Sequence, residues 1–166
     1  MLRALFPGSF DPPTNGHLNL LQRAHQIFPE IDVVIAVNPG KQYTFTADER
    51  FELVTRMIDG LDNVHVHVWD QLIVKFAEKV GARVMIRGVR ALADFAYEFE
   101  LSMINKGLNP QVETFFLPTD PQYFVLRSTS IKELARLGGD ISGMVPPYVA
   151  DALAARIGPE SRKQSC

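Results

Sequence analysis

The sequence predicts an α/β protein: a single-domain, doubly wound (Rossmann-like) five-stranded parallel sheet of order 3-2-1-4-5, with C-terminal helices. Three observations predict it. Short apolar runs alternate with helical patterns along the chain, the signature of βαβ units. At 166 residues the chain has the length of one domain, and no repeat, low-complexity stretch or linker divides it. A turn rich in Gly and Pro, Phe6 to His17, joins the first apolar run to the first helical one. Such a turn brings backbone N–H groups and a helix N-terminus toward an anion.

Leu2 to Phe6 reads as a buried first strand. An amphipathic helix follows from Leu18, with Leu20, Leu21 and Ala24 on its apolar stripe. Ile31 to Val37 is the second strand. Thr46-Ala47-Asp48-Glu49 is a capping-box signature, and the helix behind it is expected to bury Phe51, Val54, Met57 and Ile58 and to stop at Gly60. Val64 to Val68 alternates with His65 and His67, as in a strand with one face partly wet. Gln71 to Val80 is helical up to Gly81, and Val84 to Ile86 is a short buried strand. Leu92 to Leu108 is a long helix with acidic and aromatic positions, and Val112 to Leu117 is the fifth strand. The last helices are Ile131 to Leu137, with Ser130-Ile131-Lys132-Glu133 as a second capping box, and Pro147 to Ile157, separated by Gly138-Gly139. The domain is expected over residues 1–158, with a polar tail over 159–166.

Composition removes several classes of function. The net charge of -2 provides no basic field for nucleic acid, so anion binding must be local. The one cysteine, Cys166, excludes an internal disulfide framework and a cysteine-rich metal site. No apolar run reaches membrane-spanning length. A cytoplasmic enzyme is the expectation.

In the order 3-2-1-4-5, strands 1 and 4 meet at the switch point where such folds bind ligands. The loop after strand 1 carries Gly8 to His17, and the loop after strand 4 carries Arg87-Gly88-Val89-Arg90. Each residue has two readings. His17 can donate to a phosphoryl oxygen, or be an ordinary residue behind a turn made by Pro7 and Gly8 and a cap at Thr14 or Asn15. Arg87 and Arg90 can grip phosphate, with Gly88 allowing close approach, or pair with Asp94 or Glu98. Lys41, in Asn38-Pro39-Gly40-Lys41, ends the second strand on the same sheet edge. Ser128-Thr129-Ser130 can hold phosphate or only cap a helix. His65 and His67 lack a third metal ligand at suitable spacing, and His25 reads as a helix-surface residue.

Gly8-Ser9-Phe10-Asp11-Pro12 followed by Thr14-Asn15-Gly16-His17 resembles the nucleotidylyltransferase superfamily, with its T/HxGH motif. The block Arg87 to Phe95, then Tyr97-Glu98 and Asn105, is similar to the second signature of bacterial phosphopantetheine adenylyltransferases. Lys41, Thr46 to Arg50, and Gly139 to Pro146 fit the same pattern. The likeness runs from Leu2 to Ile157. Three positions depart from it: Arg127 stands where the family usually has a serine, Thr129 where it has another, and Asn19 where an aspartate is common. Thr129 replaces a serine but keeps the hydroxyl.

The resemblance implies reversible transfer of AMP from ATP to 4′-phosphopantetheine, giving dephospho-coenzyme A and pyrophosphate without a covalent intermediate. It implies catalytic roles for His17, Lys41 and Arg90. It gives ATP to Ser9, Phe10, His17, Gly88, Val89, Arg90, Glu98, Tyr123, Phe124, Val125, Leu126, Arg127, Ser128 and Thr129. It gives phosphopantetheine to Ser9, Lys41, Leu72, Ile73 and Arg87. Mg2+ is expected with ATP, with no ligand from the protein, and coenzyme A as product or feedback ligand. A homohexamer is implied. The alternatives are a sister enzyme, either a nicotinate-mononucleotide adenylyltransferase or a cytidylyltransferase, or a non-catalytic nucleotide- or coenzyme-A-binding module.

Overall fold

A computed structural model describes residues 2–159 and 161. The sheet has the order β3-β2-β1-β4-β5, all parallel: β1 (Arg3–Gly8), β2 (Glu30–Ala36), β3 (Val64–Trp69), β4 (Val84–Val89) and β5 (Glu113–Pro118). Between successive strands run α1 (Asn15–Ala24), α2 (Ala47–Met57), α3 (Ile73–Val80) and α4 (Leu92–Leu108). Two helices follow the sheet, α5 (Ser128–Arg136) and α6 (Pro147–Ile157). The predicted strand order and C-terminal helices are those observed. Of the tail expected over 159–166, all but Pro159 and Ser161 lies outside the described residues.

The central strands are buried on both faces, as parallel strands covered by helices must be. Ala4, Phe6, Val33 and Ile35 pack under α1 and α2 through Leu20, Leu21, Ala24, Val54 and Met57. Leu5, Val34 and Met85 pack on the other side against Phe76 and Ala77 of α3. A third cluster joins Phe45 and Leu126 to Ile131, Ala135, Val149 and Leu153 of α5 and α6. The polar exception in β2 is Asp32, fully buried, which accepts from Arg3 and His67. Burial pushes its carboxyl pKa up, but those bonds outweigh burial and hold it below the ordinary value. His65 pairs with Glu30. The histidine face of β3 is therefore hydrogen-bonded to carboxylates of β2, and among the described residues no group suits a metal.

Three local expectations are corrected. Helix α1 begins at Asn15, not Leu18, because Thr14 is its N-cap and accepts from the His17 N–H. Helix α5 begins at Ser128, not Ile131, with Arg127 at the N-cap and no side-chain cap. The Ser130–Glu133 capping box does not form, because the helix starts before it. On α2, Phe51 is 39% exposed, and Arg50, at 1%, takes the inward position instead. Positions 50, 54, 57 and 58 share one helical stripe, and strand-end carbonyls below α2 give Arg50 acceptors.

One departure from regular pairing creates the site. Strand β1 pairs with β2 along all of Arg3–Gly8, but with β4 only at Ala4↔Val84 and Leu5↔Met85. Beyond Leu5 and Met85 the strands separate and leave a crevice at the carboxyl edge, the ligand position for this topology.

Candidate active site

Two adjoining cavities occupy the crevice, of about 720 and about 480 Å³, in the range of small-molecule sites. Both are lined by Pro7, Gly8, Ser9, Lys41, Arg87 and Glu98. The larger extends over His17, Arg90 and Asp94 to Tyr123, Leu126, Arg127, Ser128 and Thr129. The smaller runs past Tyr43, Trp69 and Ile73 to Leu101 and Asn105. The predicted convergence of the Gly8–His17 and Arg87–Arg90 loops is therefore observed.

His17 is held by the cap of its own helix. The Thr14 N–H donates to His17 Nδ1 at 3.0 Å, closing a capping box in which histidine takes the place of the usual Glu or Gln. Nδ1 is an acceptor in that bond, so in the neutral ring the proton sits on Nε2. The ring lies on Phe10, with centroids 4.9 Å apart. Its pKa is pushed down to about 4, first by burial and then by Arg90 and Arg87. At neutral pH His17 is thus an uncharged donor. Phe10 is 2% exposed and adopts a positive φ of 49°, a strained conformation for a bulky residue that places its ring beneath the imidazole.

The arginines form the carboxylate pairs of the second reading, and they do so on the cavity wall. Arg87 Nε and Nη2 grip Glu98 at 2.6 and 2.7 Å, and Nη1 donates to the Pro7 carbonyl. Arg90 Nε donates to Asp94 at 2.9 Å, and Nη1 to the Leu126 carbonyl. Arg127 reaches the other Asp94 oxygen at 3.3 Å. Each cation lines a cavity while paired. Lys41 donates to Ser9 Oγ at 3.1 Å.

Gly88 lines the larger cavity beside Leu20, and it also has a packing role there. A Cβ there would lie 2.4 Å from Leu20 Cδ1, so glycine lets α1 seat on β4. The Ser128 hydroxyl donates to the Pro12 carbonyl, which ties α5 to the first loop. Ile73 lines the smaller cavity. The exposed Leu72 does not, and its carbonyl accepts from the Trp69 indole. Phe10, Val89, Phe124 and Val125 line neither cavity.

Sequence reasoning missed the groups that brace these residues. Asp11, 3% exposed, accepts from the Thr44 and Phe45 N–H groups and from Lys132 at 2.9 Å, so one carboxylate joins three segments. Arg50 donates to the carbonyls of Ser9 at 2.8 Å and Ala36 at 3.1 Å, and stacks 4.0 Å from the Tyr43 ring. Asp11 stood inside a quoted motif. Arg50 stood at the end of the quoted Thr46 to Arg50 segment, but a charged residue on a helix reads as solvated, so its inward position carried no signal of its own.

A fold of this topology, with cationic groups and a neutral imidazole at the switch point, defines a nucleotide-handling α/β class. The chain belongs to the cytidylyltransferase-like family, which matches it over residues 5–134. Within that class it falls among the phosphopantetheine adenylyltransferases. It is 44% identical to that of Heliobacterium modesticaldum over 95% of this chain and 94% of the relative. It is 43% identical to that of Desulfosudis oleivorans, over 93% and 92%. Among solved structures, the Plasmodium falciparum nicotinic acid mononucleotide adenylyltransferase complexed with NaAD superposes with a TM-score of 0.68 at 15% identity. That match covers 92% of this chain and 94% of the other, a likeness of fold.

Proposed function

We propose that this chain transfers AMP from ATP to 4′-phosphopantetheine, releasing pyrophosphate and forming dephospho-coenzyme A. The observation that carries the reading is the junction of the two cavities at Ser9, Lys41 and Arg87, with His17 on the wall of the larger one. The larger cavity takes ATP, and the smaller takes the pantetheine arm, with its phosphate at the junction. A phosphate oxygen attacks the α-phosphorus of ATP, and the bond to pyrophosphate breaks, its electrons leaving with pyrophosphate. The nucleophile is already an anion, so no general base is needed, and rate comes from positioning and charge stabilisation. His17 Nε2–H donates to the α-phosphoryl oxygen as charge builds. Arg90, Arg127 and the first turn of α5 hold the triphosphate, and Lys41 and Arg87 hold the acceptor phosphate.

Magnesium enters with the nucleotide. The cavity carboxylates Asp94 and Glu98 are engaged by arginines, so phosphate oxygens and water would supply the coordination. The domain spans residues 1–158 and works in the cytoplasm. Among the described residues no helix is long and apolar enough to cross a membrane.

Assembly follows from α4. None of its 17 residues is buried, and Leu92, Phe95, Phe99, Met103 and Ile104 are exposed along it. So continuous an apolar face needs a cover, and we assign it to further copies of the chain, in the homohexamer that the resemblance implies.

The test is pyrophosphate release from purified protein with ATP and magnesium, with and without 4′-phosphopantetheine. Release that depends on phosphopantetheine, with dephospho-coenzyme A as product, supports the reading. Release with nicotinate mononucleotide or a CTP-dependent acceptor instead moves the function to a sister enzyme. Nucleotide binding without any turnover leaves a binding module.

A further inference from the structure

Arg23, Asn19 and Asp120 form a polar clamp outside both cavities. Asn19 Nδ2 donates to Asp120 Oδ2 at 2.9 Å. Arg23, four residues on along α1, donates to Asp120 Oδ1 at 3.1 Å and to the Pro118 carbonyl at 2.7 Å. The three bonds tie the helix that carries His17 to the chain leaving β5. That chain runs through a single 3₁₀ turn, Pro121–Tyr123, into Leu126, Ser128 and Thr129 on the cavity wall. It lies close on α1: a Cβ on Gly16 would sit 3.7 Å from Tyr123 Cβ and 3.9 Å from Leu126 Cβ. The oxygen of the amide, Asn19 Oδ1, is buried without a partner. A buried acceptor left unpaired is costly, so the amide is oriented by what its nitrogen donates.

We propose that Asn19 is a positioning residue for nucleotide binding, its amide donating to Asp120 so that segment 120–129 is held against α1 in register with His17. The inference rests on the ATP assignment of the larger cavity. An amide is required because the partner is a carboxylate. An aspartate at position 19 would set two acceptors against each other, with Arg23 the one bonded cation at the contact.

The experiment uses the full chain and three variants: Asn19→Asp, Asp120→Ala, and the exchange Asn19→Asp with Asp120→Asn. Calorimetric titration with ATP and magnesium, and hydrogen exchange of the 121–129 amides, are read between pH 5.5 and 8.5. At pH 8.5 Asn19→Asp is expected to weaken ATP binding about tenfold and to speed exchange in 121–129 by a similar factor. Phosphopantetheine binding should be unchanged. The loss shrinks toward pH 5.5, because two adjacent carboxylates raise one pKa and share a proton. The exchanged pair restores an amide–carboxylate bond in the opposite sense, with Arg23 at i+4 from the new carboxylate, and returns both readouts to within about threefold of wild type. Asp120→Ala, on the half-exposed side, reports the same loss without the pH dependence if Asn19→Asp fails to fold. Unchanged ATP affinity and exchange in Asn19→Asp, or a loss that neither pH nor the exchanged pair relieves, overturns the proposal. Wild-type protein that binds no ATP overturns the functional reading instead, and the exchange measurement then decides the clamp alone.

Discussion

Replacing His17 by glutamine separates the two jobs that the structure gives this residue. The imidazole closes the capping box through Nδ1, accepting from the Thr14 N–H at 3.0 Å. Glutamine is a regular occupant of that helix position and can accept the same proton. At pH 7 the variant should therefore unfold within about 0.5 kcal/mol of wild type, since the cap is kept. What it loses is a rigid ring, seated on Phe10, whose Nε2–H is fixed by the tautomer. Removing a donor placed for transition-state charge typically lowers kcat by about 10²- to 10³-fold, and the lower figure is expected here because the amide keeps some donor capacity.

Acid supplies an independent readout of the same residue. The His17 pKa falls from 6.5 to about 4 on folding. Between those values the unfolded chain binds a proton that the folded chain refuses, so stability rises with pH across that window. Wild type should lose about 3 kcal/mol, from this group alone, as pH falls from 7 to 4. His17→Gln should not show that component. Urea unfolding at fixed protein concentration and several pH values measures the difference, and steady-state turnover at pH 7.5 measures kcat. Equal acid sensitivity in both proteins would show that His17 titrates normally. A kcat within threefold of wild type would remove it from catalysis.

Arg87→Lys should raise the phosphopantetheine KM at least about tenfold with little change in the ATP KM, because an ammonium cannot reproduce a planar fork that spans Glu98 and the Pro7 carbonyl; equal effects on both substrates would refute this. Arg50→Lys should destabilise the protein by about 2 kcal/mol, since an ammonium loses the Nε–H bond to the Thr46 carbonyl and the planar stack on the Tyr43 ring; an unchanged urea midpoint would show that those contacts are dispensable. Met103→Asp combined with Ile104→Lys, both on the exposed face of α4, should yield smaller particles in sedimentation velocity while nucleotide binding persists. An unchanged sedimentation coefficient would place the interface elsewhere.

The fold was legible because its signals are local. Alternating apolar runs place β2 and β4, Gly81 ends α3 at a φ of 70°, and Thr46 with Glu49 starts α2 as a capping box. Errors arose where tertiary contacts overrode a local pattern. The Ser130–Glu133 box is a sound start signal, yet α5 begins at Ser128. Phe51 has the hydrophobicity for the core, but the inward position went to Arg50, whose acceptors lie at the ends of two strands. Nothing near Arg50 in sequence announces those carbonyls, since Ser9 is 41 residues away.

The convergence of the two loops on one crevice was legible, but the charge state of that crevice was not. For Arg87 and Arg90 the sequence left open phosphate binding or pairing with Glu98 and Asp94, and the structure has the pairs inside the cavity wall. The two readings are compatible for a physical reason. Lys41, Arg87, Arg90 and Arg127 face one crevice, and without a ligand their mutual repulsion would splay the walls. Asp94 and Glu98 offset that charge and hold the guanidinium planes in place, so under the proposed function a phosphate would meet oriented partners. The same arginines help to keep His17 neutral, because their fields lower its pKa after burial has done so. The protonation state of His17 thus depends on groups seventy or more positions along the chain. It becomes visible only when the crevice between β1 and β4 brings them to the imidazole.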